Sequence, residues 1–321
     1  MLAIVLADSW GFLYMVRGYL SRGGVAVLIA GMAVAGIGLS AATVQPATGS
    51  HQLAGGMSKP TGPDPSASGT PAPLTISEVN SVPDGIRAKD QRSGEEVATP
   101  WDLPAGSMIF NPASGREEVT DPAIARLAVL FGDSQAAGAA GVNEADTWVQ
   151  LGLAERGYKV KFLGGGGIGF AAKTPSTSNY ADSLDTGRKV LPYGNPALVV
   201  VQGGGNDASQ GIADARILSN ADRLLHDLKA SYPNSEFLFI GTLAKGQGYG
   251  GGRRSQVDAL LAGFAQRNGI RFISAGDWVT RYGVGDKLVD GVHLNRGGHQ
   301  ALAKVLATDL KAMGIRGPGA K

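Results

Sequence analysis

Residues 122–321 read as an α/β domain, a three-layer α/β/α sandwich on a five-stranded parallel sheet, and two observations predict it. Five short β-rich runs recur, "RLAVLF" (126–131), "KVKFL" (159–163), "ALVVVQ" (197–202), "EFLFIG" (236–241) and "IRFISA" (270–275). Helical patterns separate them, and strands alternating with helices imply parallel pairing, because right-handed crossovers lay the helices on both faces of the sheet. Between the third and fourth runs, Ile217, Leu218, Ala221, Leu224, Leu225 and Leu228 fall on one helical face. Val257, Leu260, Leu261 and Phe264 repeat that spacing in the next helix, and Leu302, Val305 and Leu306 begin it in the last. No repeat of fixed period interrupts the pattern.

Ahead of this domain the composition changes three times. Residues 1–24 form a short N-terminal segment expected on the cytoplasmic side. Residues 25–44, "VAVLIAGMAVAGIGLSAATV", carry no charge and are long enough for a membrane span. Arg17 and Arg22 precede it, which keeps the N-terminus inside and sends the rest across. Ser40-Ala41-Ala42 leaves a cleaved signal peptide open as the alternative. Either way the remainder is expected outside the cytoplasm. Residues 45–75 are rich in Pro, Gly, Ser and Thr and read as a flexible linker. Residues 76–121 are mixed, with Trp101 and Met108-Ile109-Phe110 among polar residues, and form an arm that the pattern does not place.

Composition excludes several chemistries. The chain has no cysteine, which rules out disulfides, thiolate nucleophiles and cysteine-ligated metal sites. Its 29 basic and 27 acidic residues nearly cancel, so no nucleic-acid partner is expected. A hydrophobic content of 43% is enough for a full core.

In a parallel sheet ligands bind beyond the carboxyl ends of the strands, and four stretches fall there or ahead of the last helix. "FGDSQ" (131–135) follows the first strand, so Ser134 opens a helix with its backbone N–H among the unsatisfied donors of a helix N-terminus. Read alone, Asp133-Ser134 serves equally as a helix cap. "LGGGGIGF" (163–170) follows the second strand and "QGGGND" (202–207) the third, which brings Asn206 to the same rim. "DGVHLNRGGH" (290–299) precedes the last helix, with Asp290 and His293 three residues apart. A serine, a histidine to deprotonate it and an acid to orient the histidine are the parts of an activated hydroxyl nucleophile. Residues 164–169 also satisfy GxGxxG, but "FAAKTPSTSNYADS" follows where a dinucleotide fold needs a helix.

In order and placement these four blocks resemble those of the SGNH, or GDSL-type, hydrolase family, over roughly residues 124–315. The resemblance implies a flavodoxin-like sandwich, Ser134 as nucleophile, His293 as general base and Asp290 as its orienting acid. It implies an oxyanion hole of the Ser134 N–H, the Asn206 side-chain amide and a glycine N–H. The family's spacing points to Gly169, with Gly166 or Gly167 taking its place if the register slips. Gln135 departs from the leucine of the family name, and Leu294 stands where proline is common.

The chemistry implied is acyl transfer through an ester-linked enzyme, on a small-molecule, glycan or lipid ester, with no cofactor and no metal. Short acyl groups on envelope carbohydrate are the expected substrates. Water as acceptor makes an esterase, a sugar hydroxyl makes an O-acyltransferase, and a degenerate site leaves a binding domain. A neutral to mildly alkaline optimum follows from a base that must be unprotonated. Two rim segments are candidates for substrate contact: 173–196, with Tyr180 and Tyr193 to stack on a sugar, and 244–254, with Lys245, Arg253 and Arg254 to meet an anion.

Overall fold

A computed structural model of the chain describes residues 99–319, together with the backbone of a short antiparallel pair, β1 (Ala88–Lys89) and β2 (Glu96–Val97). The chain divides into two units, Met1–Ser68 and Gly69–Lys321, and everything described falls in the second. The span expected at 25–44 lies outside the described residues, and among those described no helix is long and apolar enough to cross a membrane.

The sheet expected from the sequence is present. Its strands are β5 (Leu127–Phe131), β6 (Lys159–Phe162), β7 (Leu198–Gln202), β8 (Glu236–Ile240) and β9 (Arg271–Ile273), following a hairpin of β3 (Met108–Asn111) and β4 (Arg116–Val119). The order is β6-β5-β7-β8-β9 and every pair is parallel. β5 and β7 are buried along their whole length, which is why their sequences are apolar without alternation. The edges are less covered, and the 270–275 run shrinks to three paired residues in β9.

Alternation survives as a choice between two cores. Val129, Phe131, Val199, Val201 and Phe239 face one cluster, while Ala128, Leu130, Leu198, Val200, Leu238 and Ile240 face the other. The helices in chain order are α1 (Ser134–Ala137), α2 (Trp148–Glu155), α3 (Tyr180–Asp185), α4 (Gly205–Ser209), α5 (Asp214–Ser231), α6 (Gly252–Arg267), α7 (Trp278–Arg281) and α8 (Arg296–Ala312). α5 and α6 cover the first face through Ile217, Leu224, Leu228, Val257 and Leu261. α2 and α8 cover the second through Trp148, Leu153, Leu302 and Leu306.

The arm is tied to the amino-terminal end of the sheet. Val119 of β4 bridges Pro192 in parallel, its N–H donating to the Leu191 carbonyl at 2.9 Å and its carbonyl accepting from Tyr193 at 2.8 Å. Trp101, Leu103 and Ile109 pack with Tyr193 in a small separate cluster. Segment 173–196 is therefore the β6–β7 crossover, running from the catalytic rim to the opposite end.

Candidate active site

β6 and β7 lie on opposite sides of β5, so the loops leaving β5 and β7 part at their carboxyl ends and open a crevice. The chain turns sharply into each short helix there. After β5, Asp133 in extended backbone caps α1 by accepting from the Gln135 N–H at 2.9 Å, which places Ser134 in the first turn. After β7, Gly204 at φ 102° makes a left-handed turn that only glycine adopts without strain, and α4 begins with Asn206 as its second residue.

The loop before α8 brings the histidine to the serine. Ser134 Oγ lies 2.8 Å from His293 Nε2, and His293 Nδ1 lies 2.7 Å from Asp290 Oδ2. The other Asp290 oxygen accepts from the backbone N–H groups of His293 (2.8 Å) and Val292 (3.0 Å). The His293 ring hydrogen bond, and then these two backbone bonds, hold the Asp290 carboxyl well below the usual carboxylate range. An ionised carboxylate is an acceptor only, so Nδ1 carries the ring proton and Nε2 is left to accept from the serine hydroxyl.

Asn206 and the glycine loop 164–169 are also at this rim. Asn206 Nδ2 donates to the Ile168 carbonyl at 2.9 Å, which ties α4 to the loop and leaves the second N–H of the amide. Gly169 departs from expectation. Its N–H donates to the Ala172 carbonyl at 3.0 Å, so it is no free donor at the serine. Its lack of a side chain serves another purpose, since a Cβ there would collide with the Asp207 carboxylate. Gly166 takes the position next to Ser134: it is exposed, a Cβ on it would stand 4.0 Å from Ser134 Cβ, and its N–H donates to no group among the described residues. The Ser134 N–H, in the first turn of α1, is likewise without an intramolecular acceptor among the described residues.

Two residues contribute more than the sequence indicated. Asp207, fully buried, accepts from the backbone N–H groups of Phe170 (3.0 Å), Ala171 (2.7 Å) and Ala172 (2.8 Å), and so fixes the far end of the glycine loop. Its place beside Asn206 was the available signal, but adjacency in sequence cannot show which loop a carboxylate clamps. Gln135, 3% exposed, donates to the Val292 carbonyl at 3.0 Å and accepts from Trp148 Nε1 at 3.3 Å, joining the serine turn to the histidine loop.

The two expected sugar platforms are not at the site. Tyr180 is fully buried with its hydroxyl donating to the Gln202 carbonyl at 2.9 Å, and Tyr193 is buried against Trp101 at the other end of the sheet. The apolar rings supply core, and burial removes them from any ligand. His299 is buried, accepts from the Trp148 N–H at 3.0 Å, and is pulled down to about 4 by desolvation, so it packs as a neutral ring. Among the described residues no three His, Cys, Asp or Glu side chains gather as a metal site.

A half-exposed serine hydrogen-bonded to a histidine, with free N–H donors beside it, is a site of acyl-transfer type. Residues 130–301, more than half of the chain, match the GDSL-like lipase/acylhydrolase family, and the chain belongs to that family. The fold is similar to that of an active-site mutant of a family two carbohydrate esterase from Clostridium thermocellum in complex with celluohexase. That match has 14% identity and a TM-score of 0.45 over 60% of this chain and 65% of that one, so the chain spans just under two thirds of that relative's length. It is also similar to a carbohydrate esterase family 2 enzyme plus carbohydrate binding domain from Corynascus thermopiles (Myceliophthora fergusii), at 19% identity and a TM-score of 0.46 over 62% and 70%. The psychrotrophic esterase EstA from Pseudoalteromonas sp. matches at 15% identity and a TM-score of 0.46, over 60% of this chain and all of that one. Comparison with curated proteins gives no match.

Proposed function

We propose that the protein hydrolyses short acyl esters outside the cytoplasm by a serine-histidine-aspartate mechanism through an acyl-enzyme. One observation carries this reading: the unbroken hydrogen-bonded chain from Ser134 Oγ through both His293 nitrogens to Asp290, at the mouth of the sheet crevice. His293 Nε2 takes the Ser134 proton as the oxygen attacks the ester carbonyl, and the protonated ring is stabilised by Asp290. The tetrahedral oxyanion is met by the N–H groups of Ser134 and Gly166 and by the Asn206 amide. His293 then gives the proton to the departing alcohol, and a water activated the same way releases the acid. The extracytoplasmic location is supported by the uncharged 25–44 stretch behind Arg17 and Arg22.

The test is hydrolysis of 4-nitrophenyl acetate, butyrate and longer esters by the full chain beside Ser134→Ala. Turnover that falls with chain length and vanishes in the variant is expected. Equal rates for wild type and variant would refute the nucleophile.

A further inference from the structure

The rim loop 244–254 carries three cations, and the structure separates them. Lys245 is exposed, and Arg253 is bound by the Ile212 carbonyl at 2.9 Å and by Asp214 at 2.5 Å. Arg254 has no carboxylate within 4.0 Å among the described residues, and its one hydrogen bond goes from Nη2 to Ser209 Oγ at 3.1 Å. Its guanidinium lies against Gly205, the residue before Asn206, where a Cβ would stand 2.7 Å from Nη1. From the same point Asp133 Oδ2, of the residue before Ser134, is 3.5 Å away. Arg254 thus sits between the two turns that carry the nucleophile and the amide donor.

This placement runs against local stability. Arg254 stands in the first turn of α6, where a cation opposes the helix dipole, and partial burial pulls its guanidinium down from its ordinary range. The charges that act on it are Asp133 and Asp290. Asp133 caps α1 from inside the protein and Asp290 is bonded to His293, and neither lies within ion-pair distance of it. A local rule broken with no ion pair to offset it among the described residues is the mark of a functional position. The planar guanidinium keeps its other N–H edge for a carboxylate. Tyr249, 71% exposed on the same loop, adds an aromatic face of the kind that sugar rings stack on.

We propose that Arg254 is a specificity-determining residue that pairs with a carboxylate of the substrate, and that, with the exposed ring of Tyr249 on the same loop, the preferred ester is that of a sugar acid. The inference rests on the esterase reading above and narrows its substrate.

The experiment measures acetate release from O-acetylated glucuronate and O-acetylated glucose, at low and high salt, by wild type, Arg254→Gln and Arg254→Lys. 4-Nitrophenyl acetate reports the chemistry, and thermal melting reports folding. The wild type is expected to favour the uronate in kcat/KM by about tenfold or more, chiefly through KM. Arg254→Gln brings that ratio to near one, Arg254→Lys keeps part of it, and high salt lowers it in the unmodified enzyme. A wild-type ratio near one, or one that Arg254→Gln leaves in place, overturns the inference while 4-nitrophenyl acetate turnover upholds the esterase. Absence of turnover on all three esters overturns both.

Discussion

At the carboxyl ends of β5 and β7 the acid beside His293 is half-exposed and ionised, whereas at the amino end of the sheet the acid on β4 is fully buried and its hold on a proton is strengthened. Asp290 has a side chain 51% exposed and three N–H donors converging on it. Glu118 on β4 has none of its surface exposed, and burial pushes its carboxyl up to about 7 against hydrogen bonds from Asn111 and Ser114 and the charge of Arg116. The same functional group is thus set to accept from a histidine ring at one end and to tie the two strands of the hairpin together at the other. Donors raise acidity only where they outweigh the loss of water.

The largest effect that sharpens this contrast is at the nucleophile. Ser134→Ala should lower kcat by about 10⁴-fold or more, from loss of a triad member, while the melting temperature changes little. Both readings come from one steady-state assay and one melt. An unfolded variant would instead make Ser134 structural.

Asn206→Ala follows, with kcat expected to fall about 10²- to 10³-fold for one lost oxyanion donor. Asp207→Ala offers the comparison within the same turn. It leaves three buried N–H groups unpaired and should cost about 3 kcal/mol or more in denaturant unfolding, with kcat falling alongside because the glycine loop is released. If Asp207→Ala melts like wild type, the clamp on residues 170–172 is not what holds the loop.

At the other end, Glu118 makes a pH prediction with a definite sign. Its folded pKa is raised from 4.5 to about 7, so its contribution is fully present below 4.5 and is lost as pH rises to about 7. The loss amounts to about 3 kcal/mol at 1.36 kcal/mol per unit. Unfolding free energies at pH 5 and pH 8 should differ by less in Glu118→Gln than in wild type, by roughly that amount. Parallel profiles would show that the carboxyl is ionised when folded.

The smallest effect expected is at Gln135. Gln135→Leu removes the acceptor of the Trp148 indole and the donor to Val292, costing about 1–2 kcal/mol. A severalfold fall in kcat/KM should accompany it, because Val292 precedes the base. An unchanged pH-rate profile with lowered stability would confine Gln135 to packing.

Much of the fold and of the site is legible in the amino-acid sequence. Each of the five strand runs forms its strand, because a strand covered on both faces must be apolar throughout and a helix on a sheet must repeat every three to four residues. Ser134 and Asn206 are legible at the rim for a related reason, since short polar motifs directly after such strands can only emerge there, while Asp290 and His293 are legible as an acid–histidine pair just ahead of the last helix. The same reasoning misplaces Gly169, Tyr180 and Tyr193. Four consecutive glycines carry no side-chain pattern to show which N–H stays unpaired, and an aromatic residue in a polar stretch does not reveal whether it turns inward.

By its sequence alone this protein determined a parallel α/β sheet, the order of its strands along the chain, and the residue types collected at one rim. Those depend on local periodicity and on where apolar runs stop, and each is encoded within a few positions. The tertiary structure decided the rest: that β5 and β7 flank the crevice, that Asp207 clamps the loop beside Asn206, that Gly166 faces the serine, and that Arg254 is left without an ion pair among the described residues. These are contacts between segments tens of residues apart, set by how buried groups find partners in three dimensions, and no short stretch of the chain contains that information.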